Sequence, residues 1–145
     1  MRASTAKFSI VSGDAGLAER LESELLSSLA LNQEQALNTG FTLSANDADG
    51  EIIGGLVASS SYSWLLVKIL WVEEGKRNLG VGRALMDAAE AKAEELGCHS
   101  VWLDTSNANA KQFYDALGYE VFGKLENSKG HSPPDHCRWF MKKSL

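Results

Sequence analysis

The sequence predicts an α/β fold, a central mixed β-sheet flanked by helices, organised as a single domain over residues 1–145. Three observations predict it. The apolar, β-branched run Trp64–Val72 breaks into a basic, glycine-containing loop that leads directly into an alanine- and leucine-rich helix. Ahead of that run, two strand patterns meet across Asp47, Ala48, Asp49 and Gly50, a composition suited to a hairpin. After it, helical and strand patterns alternate to the end, giving the order β-α-α-β-β-β-α-β-α-β-β. A chain of 145 residues that is 44% hydrophobic and 23% charged has the size and composition of an ordinary globular domain with a real core.

Taken in order, residues 8–11 alternate as a short strand. Residues 15–28 carry Leu17, Leu21 and Leu25 at the period of an amphipathic helix, continued by Leu29. A second, shorter helix is expected over 32–37. Strands follow at 41–45 and 52–59, and Trp64–Val72 completes a meander. The helix expected over 81–96 turns Ala84, Leu85, Ala88, Ala89 and Leu96 inward and Asp87, Glu90 and Glu94 outward. Gly97 stands where a C-terminal cap belongs. A strand at 100–104, a helix at 108–117 stopped by Gly118, and strands at 119–125 and 137–142 close the chain. The loop 126–136 contains Ser132, Pro133 and Pro134. No internal repeat, low-complexity tract or long linker interrupts this order.

The loop after Val72 has the form of a phosphate cradle. Glycine admits close approach of a phosphate to the backbone, and the first amides of a helix have no internal partner and face an anion favourably. Lys76, Arg77 and Arg83 supply charge of the matching sign. The run lacks the Gly-Lys-Ser/Thr ending of a triphosphate loop and the third glycine of a dinucleotide fingerprint, since position 85 is leucine. It fits Arg/Gln-x-x-Gly-x-Gly/Ala as Arg77, Gly80 and Gly82, with Asn78, Leu79 and Val81 between them. A second block follows: Asn107, Ala110, the aromatic pair Phe113 and Tyr114, then Gly118 and Tyr119. In this order and spacing, the two blocks resemble the coenzyme A pyrophosphate loop and the following helix of the GNAT superfamily of N-acetyltransferases. The resemblance covers residues 50–145. Its closing stretch, with Gly118, Gly123, Gly130, His131 and the strand from Arg138 to Met141, looks like a group of small bacterial members.

That resemblance implies acetyl coenzyme A as co-substrate, with no metal, and transfer of acetyl to a primary amine of a small molecule or peptide by direct attack in a ternary complex. It implies that Arg77, Asn78, Leu79, Gly80, Val81, Gly82 and Arg83 bind the pyrophosphate. Backbone at Leu70, Trp71 and Val72 would hold the pantetheine arm and polarise the carbonyl, splaying away from residues 101–103 to admit it. Asn107, Ala110 and Phe113 would line the arm, and Tyr114 would lie beside the sulfur and donate a proton to the departing thiolate. Pairing of two copies through the last strands is also implied. A non-catalytic acyl coenzyme A sensor remains the alternative, and the presence of Tyr114 argues against it.

Several of these residues have plainer readings. Arg77 can pair with Glu73 or Glu74 at the surface, an interaction worth little. Asn107 suits the N-cap of its helix, with Asn109 competing for that place. Tyr114 can be a core aromatic whose hydroxyl finds a backbone partner. The family pattern usually places glycine directly after the arginine; Asn78 stands there, and asparagine tolerates the left-handed conformation. His131, His136, Glu73 and Glu74 are the candidates for a base, while His99 reads as a surface or packing residue. Trp64, Trp71, Trp102 and Trp139 read as strand residues facing a core.

A formal net charge of −5 argues against nucleic-acid binding, which needs a basic face. It mildly favours a cationic acceptor. No leader-like segment opens the chain and no apolar stretch is long enough to span a membrane, so a cytoplasmic protein with reduced Cys98 and Cys137 is expected.

Overall fold

The structure, a computed structural model, describes residues 7–32 and 38–145. Its contacts divide the chain into two compact units, Met1–Gln35 and Ala36–Leu145. The first contains α1 (Leu17–Asn32). The helix begins after a turn at Asp14, whose carboxylate accepts from the Gly16 amide at 3.1 Å. A helix start leaves amides without internal partners, and a short acidic side chain just ahead of it supplies an oxygen. The expected second helix has its first residue, Asn32, at the end of α1, and 33–37 lie outside the described residues. Residues 8–11 form no strand, and Phe8, Ile10 and Val11 are exposed. Alternation over four residues specifies a buried face only where another strand pairs with it.

In the second unit, β1 (Thr39–Asn46), β2 (Ile52–Ser61) and β3 (Trp64–Val72) form an antiparallel meander. The β1–β2 turn is built as its composition predicts. The Asp47 carboxylate accepts from the amides of Asp49 and Glu51, both at 2.9 Å, and Gly50 takes a positive φ of 82°. The β2–β3 turn carries no glycine, yet Tyr62 and Ser63 both have positive φ, 50° and 66°. Positive φ at both central residues is what a tight two-residue hairpin requires.

The chain then enters α2 (Val81–Glu95) and returns as β4 (Ser100–Thr105), parallel to β3. After α3 (Ala108–Ala116) come β5 (Glu120–Glu126) and β6 (Cys137–Ser144), with β6 inserted between β4 and β5. The sheet of the described residues is therefore mixed and ordered β1-β2-β3-β4-β6-β5. Helix α2 packs on the meander, burying Leu85, Met86, Ala89 and Ala93 against Leu56, Ala58, Leu65 and Val67.

The buried stripe of α2 is rotated from the expected one. Ala84 and Ala88 are exposed, and Met86 and Ala93 take their places inside. An alanine-rich helix offers several stripes of similar hydrophobicity, and the bulk of Met86 decides between them. Glu90, expected outward, is drawn in. Its Oε1 accepts from Lys143 Nζ at 2.7 Å and its Oε2 from the Tyr119 hydroxyl at 3.0 Å. Among the described residues no helix is long and apolar enough to cross a membrane.

Candidate functional site

Strands β3 and β4 pair only at Trp64 with Ser100, Leu65 with Val101 and Leu66 with Trp102. Beyond Leu66, β3 stays with β2 as far as Val72, while β4 stays with β6 as far as Thr105. The two strands part, and a cleft of about 1040 Å³ lies between them. The expected opening against residues 101–103 is shifted: Val101 and Trp102 are still paired, and the gap on β4 starts at Leu103. On β3 it starts at Val67, next to a bulge that leaves Lys68 as an extra residue opposite β2. A bulge bends its strand and strengthens its twist. Among the described residues the cleft-facing amides and carbonyls of 67–72 have no strand partner, which makes that edge a template for an extended ligand.

One end of the cleft is the turn into α2. A single 3₁₀ turn, Glu74–Lys76, is followed by Arg77, whose Nε donates to the Val72 carbonyl at 3.0 Å. This bond, rather than an ion pair with Glu73 or Glu74, fixes Arg77 at the end of β3. Asn78 has a φ of 63° and Gly80 a φ of 87°, so the left-handed conformation allowed to asparagine is the one it adopts. Gly80 is the N-cap of α2 and supplies no side-chain cap. The first helical bond runs from Ala84 N to Gly80 O at 3.0 Å, which leaves the amides of Val81, Gly82 and Arg83 without helical partners. With Lys76, Arg77 and Arg83 lining the same end, these amides form an electropositive end whose geometry suits an anion.

The far wall comes from the end of β4 and from α3. Asn107 is the N-cap of α3, its Oδ1 accepting from Asn109 N at 2.8 Å and Ala110 N at 3.0 Å. Asn109 does not compete for the cap. Asn107 also lines the cleft, so the two readings of this residue coexist. Replacing it with alanine is expected to cost about 1 kcal/mol of stability, read as a fall in the denaturation midpoint. Across the cleft floor the two sequence blocks touch. A Cβ built on Gly82 would sit 3.2 Å from Cζ of Phe113 and 3.7 Å from Cγ2 of Val72.

A sequence model described as "Acetyltransferase (GNAT) family" matches residues 15–119. The chain belongs to the GNAT acetyltransferase family. It is 42% identical over 77 residues to a blasticidin-S acetyltransferase of Streptomyces morookaense, covering 52% of this chain and 57% of that protein. It is 36% identical over 88 residues to a streptothricin acetyltransferase of Streptomyces lavendulae, covering 57% of this chain and 46% of that one. The chain thus spans about half the length of the curated relatives it matches. Among solved structures, an acetyltransferase from Bacillus cereus superposes with a TM-score of 0.85 at 26% identity, over 95% of this chain and 98% of that one.

In this GNAT chain every residue expected from the sequence to hold coenzyme A lines the one cleft except two. Leu79 projects outward with 70% of its surface exposed, and Val81 turns to the core. Trp71, expected to pack inward, is 48% exposed and lines the cleft wall. The expected base candidates Glu73, Glu74, His131 and His136 are not among the lining residues. His131 Nδ1 lies 2.7 Å from the Ser128 hydroxyl, within its own loop. His99 sits at the surface, with Nδ1 2.8 Å from the Ser100 hydroxyl and its ring edge-on to Trp64. Among the described residues no group of histidine, cysteine and carboxylate side chains is arranged to hold a metal ion.

Tyr114 is buried, edge-on to both Phe113 and Tyr119, and no described residue hydrogen-bonds its hydroxyl. The expected backbone partner is therefore not found. Burial, with the Asp104 charge adding to it, pushes the hydroxyl up to about 12. Val67, Lys68, Ile69, Asp104, Thr105, Asn109 and Gln112 also line the cleft and were not expected there from the sequence. Asp104 and Thr105 stand at the C-terminal end of a parallel strand, where open α/β sheets carry ligands. That position was the available signal.

Proposed function

We propose that this protein transfers the acetyl group of acetyl coenzyme A to a primary amine of a small molecule or peptide, by direct attack within a ternary complex. The observation that carries the reading is one cleft with a helix start bearing free amides at one end and, in the far wall, a buried tyrosine hydroxyl without a partner among the described residues. An open strand edge runs between them. In this reading the pyrophosphate takes the free amides of Val81, Gly82 and Arg83, with Arg77 and Arg83 neutralising its charge. The pantetheine arm lies along 67–72 as an added strand, and an amide of that edge polarises the thioester carbonyl as negative charge develops on its oxygen. Asn107, Ala110 and Phe113 face the arm. Family membership supports the donor. The two antibiotic acetyltransferases among the relatives make amine-bearing antibiotics the first acceptors to try.

Tyr114 faces the departing sulfur in this arrangement. A thiol titrates near ~8.5 and so does not draw a proton at equilibrium from a phenol held far above that value. The hydroxyl therefore acts by donating a hydrogen bond to the sulfur as it gains charge, and solvent completes the protonation. The attacking amine must be neutral, so the rate is expected to rise with pH as the acceptor deprotonates. With Tyr114 titrating at about 12, no descending limb from this residue appears in the neutral to mildly alkaline range.

Tyr114→Phe is expected to lower kcat by roughly 10- to 100-fold, with the affinity for acetyl coenzyme A nearly unchanged. Thiol release against an amine panel, paired with calorimetric titration of acetyl coenzyme A, tests both claims. Binding without release for any amine would leave a sensor in place of an enzyme; no binding would overturn the reading. We also read the chain as one domain, since the family match runs through both units. Pairing of two copies through the last strands is supported by β5, an end strand of the sheet that exposes Val121, Phe122 and Leu125. A cytoplasmic location completes the reading and rests on the sequence alone.

A further inference from the structure

The charged residues lining the cleft are four cations, Lys68, Lys76, Arg77 and Arg83, and one carboxylate, Asp104. Coenzyme A is a polyanion, so the cations suit the donor and the carboxylate does not. Asp104 lies just past the last β3–β4 pair, in the wall that also holds Tyr114. Arg138 of β6 reaches it with two nitrogens, Nε and Nη2, each 2.9 Å from Oδ1. Both contacts fall on the same oxygen, which leaves Oδ2 outside the pair. Strand pairing does not require this contact, because β4 and β6 are already in register from Ser100 with Ser144 to Thr105 with Trp139. As a half-exposed ion pair it would add little to stability. The charge of Asp104 also reaches the Tyr114 hydroxyl, which places the carboxylate near the reacting end of the cleft.

Resting on the acetyl-transfer reading above, we propose that Asp104 is a catalytic residue that receives the acceptor amine. Its Oδ2 accepts a hydrogen bond from the attacking nitrogen and stabilises the positive charge that builds there. When a neutral amine adds to the thioester carbonyl, its lone pair forms the new C–N bond and the nitrogen becomes positive. The carbonyl oxygen takes the displaced electron pair. Collapse of the adduct re-forms the carbonyl and breaks the C–S bond, the sulfur leaving with that pair. The nitrogen then gives up one proton to solvent. A fixed carboxylate interacts weakly with the neutral amine and strongly with the charged nitrogen, so it favours the transition state over the bound substrate. Arg138 holds the carboxylate in the orientation that presents Oδ2. The acceptor class that follows is an uncharged primary amine small enough to enter between β3 and β4, drawn from a species that is cationic in solution.

The test compares Asp104→Asn, Asp104→Glu and Arg138→Gln with the wild-type protein, using an amine that the wild type acetylates. Melting curves establish that each variant is folded, and titration with acetyl coenzyme A establishes that the donor site is intact. Asp104→Asn keeps the oxygen that Arg138 holds, and puts an uncharged amide nitrogen in the place of Oδ2. It is expected to lower kcat by about 100-fold, with a smaller change in the KM for the amine and undiminished donor affinity. Asp104→Glu is expected to recover part of that loss, and Arg138→Gln to lose far less than Asp104→Asn. Equal losses in Asp104→Asn and Arg138→Gln would mean the pair is only structural and would overturn the proposal. So would a kcat within about threefold of wild type in Asp104→Asn, a change far below that ascribed to one electrostatic group. Failure of the wild type to acetylate any amine overturns the reading beneath it instead, and the two failures are seen in different samples.

Discussion

Gly82→Val is expected to lower the affinity for acetyl coenzyme A by at least about 100-fold, a loss of ~2.7 kcal/mol of binding free energy. The added Cβ alone would stand 3.2 Å from Cζ of Phe113 and 3.7 Å from Cγ2 of Val72. The two further methyls must enter the space where the strand, the helix start and the far wall converge. There they fill the approach to the free amides of Val81, Gly82 and Arg83. The overpacking itself is expected to cost about 1–3 kcal/mol of stability, too little to unfold a domain of this size. Calorimetric titration alongside a thermal melt separates the two effects. A folded variant with unchanged affinity would remove the phosphate-cradle assignment. Gly82→Ala, which asks only a small shift of Phe113, should fall between the two.

Loss of the Glu90 carboxylate carries the largest expected effect on stability. Glu90 joins three elements: it leaves α2, accepts from Lys143 of β6 at 2.7 Å, and accepts from Tyr119 ahead of β5 at 3.0 Å. Its side chain is 13% exposed and that of Lys143 27%, so solvent replaces little of what is lost. Burial, with the charge and hydrogen bond of Glu90 adding to it, holds the Tyr119 hydroxyl well above its ordinary range, so it remains a donor. Glu90→Ala leaves an ammonium and a phenol facing an apolar gap. The expected cost is about 3 kcal/mol, seen as a fall in Tm of roughly 10 °C. Glu90→Gln keeps the size and one acceptor oxygen for Lys143, while its amide nitrogen faces Tyr119, whose hydroxyl must then turn to accept; it should lose about half as much, in proportion to the charge-assisted part of these bonds. A melting temperature within ~2 °C of wild type in Glu90→Ala would show that the network contributes nothing to stability.

Glu90 also shows where reading the sequence fails. A glutamate among alanines on a helix is placed outward by hydrophobic pattern, and the pattern holds no record of a lysine and a tyrosine more than 25 positions away. The same limit applies to Ala84 and Ala88. Periodicity recognises an amphipathic helix, but which of several near-equivalent stripes is buried depends on what packs against it. Residues 8–11 show the complementary case, in which local alternation is present and no strand among the described residues completes it.

The site was more legible than the core because its chemistry is local. Arg77, Asn78, Gly80 and Gly82 shape one continuous turn, and the left-handed conformations at Asn78 and Gly80 follow from residue types that tolerate them. Asn107 caps its helix through amides two and three residues on. Such features need no tertiary partner, so the amino-acid order alone determined the turn into α2, its charge, the capped helix and the aromatic pair at its end. Tertiary structure decided what these pieces do together. It ended the β3–β4 pairing at Leu66 and Trp102, brought Phe113 against Gly82, turned Leu79 and Val81 away, and set Asp104 into the wall beside Tyr114. Each of those outcomes depends on where one strand stops pairing with another distant in sequence. Strand pairing is a non-local balance of backbone bonds and packed faces, and no single stretch of sequence contains it.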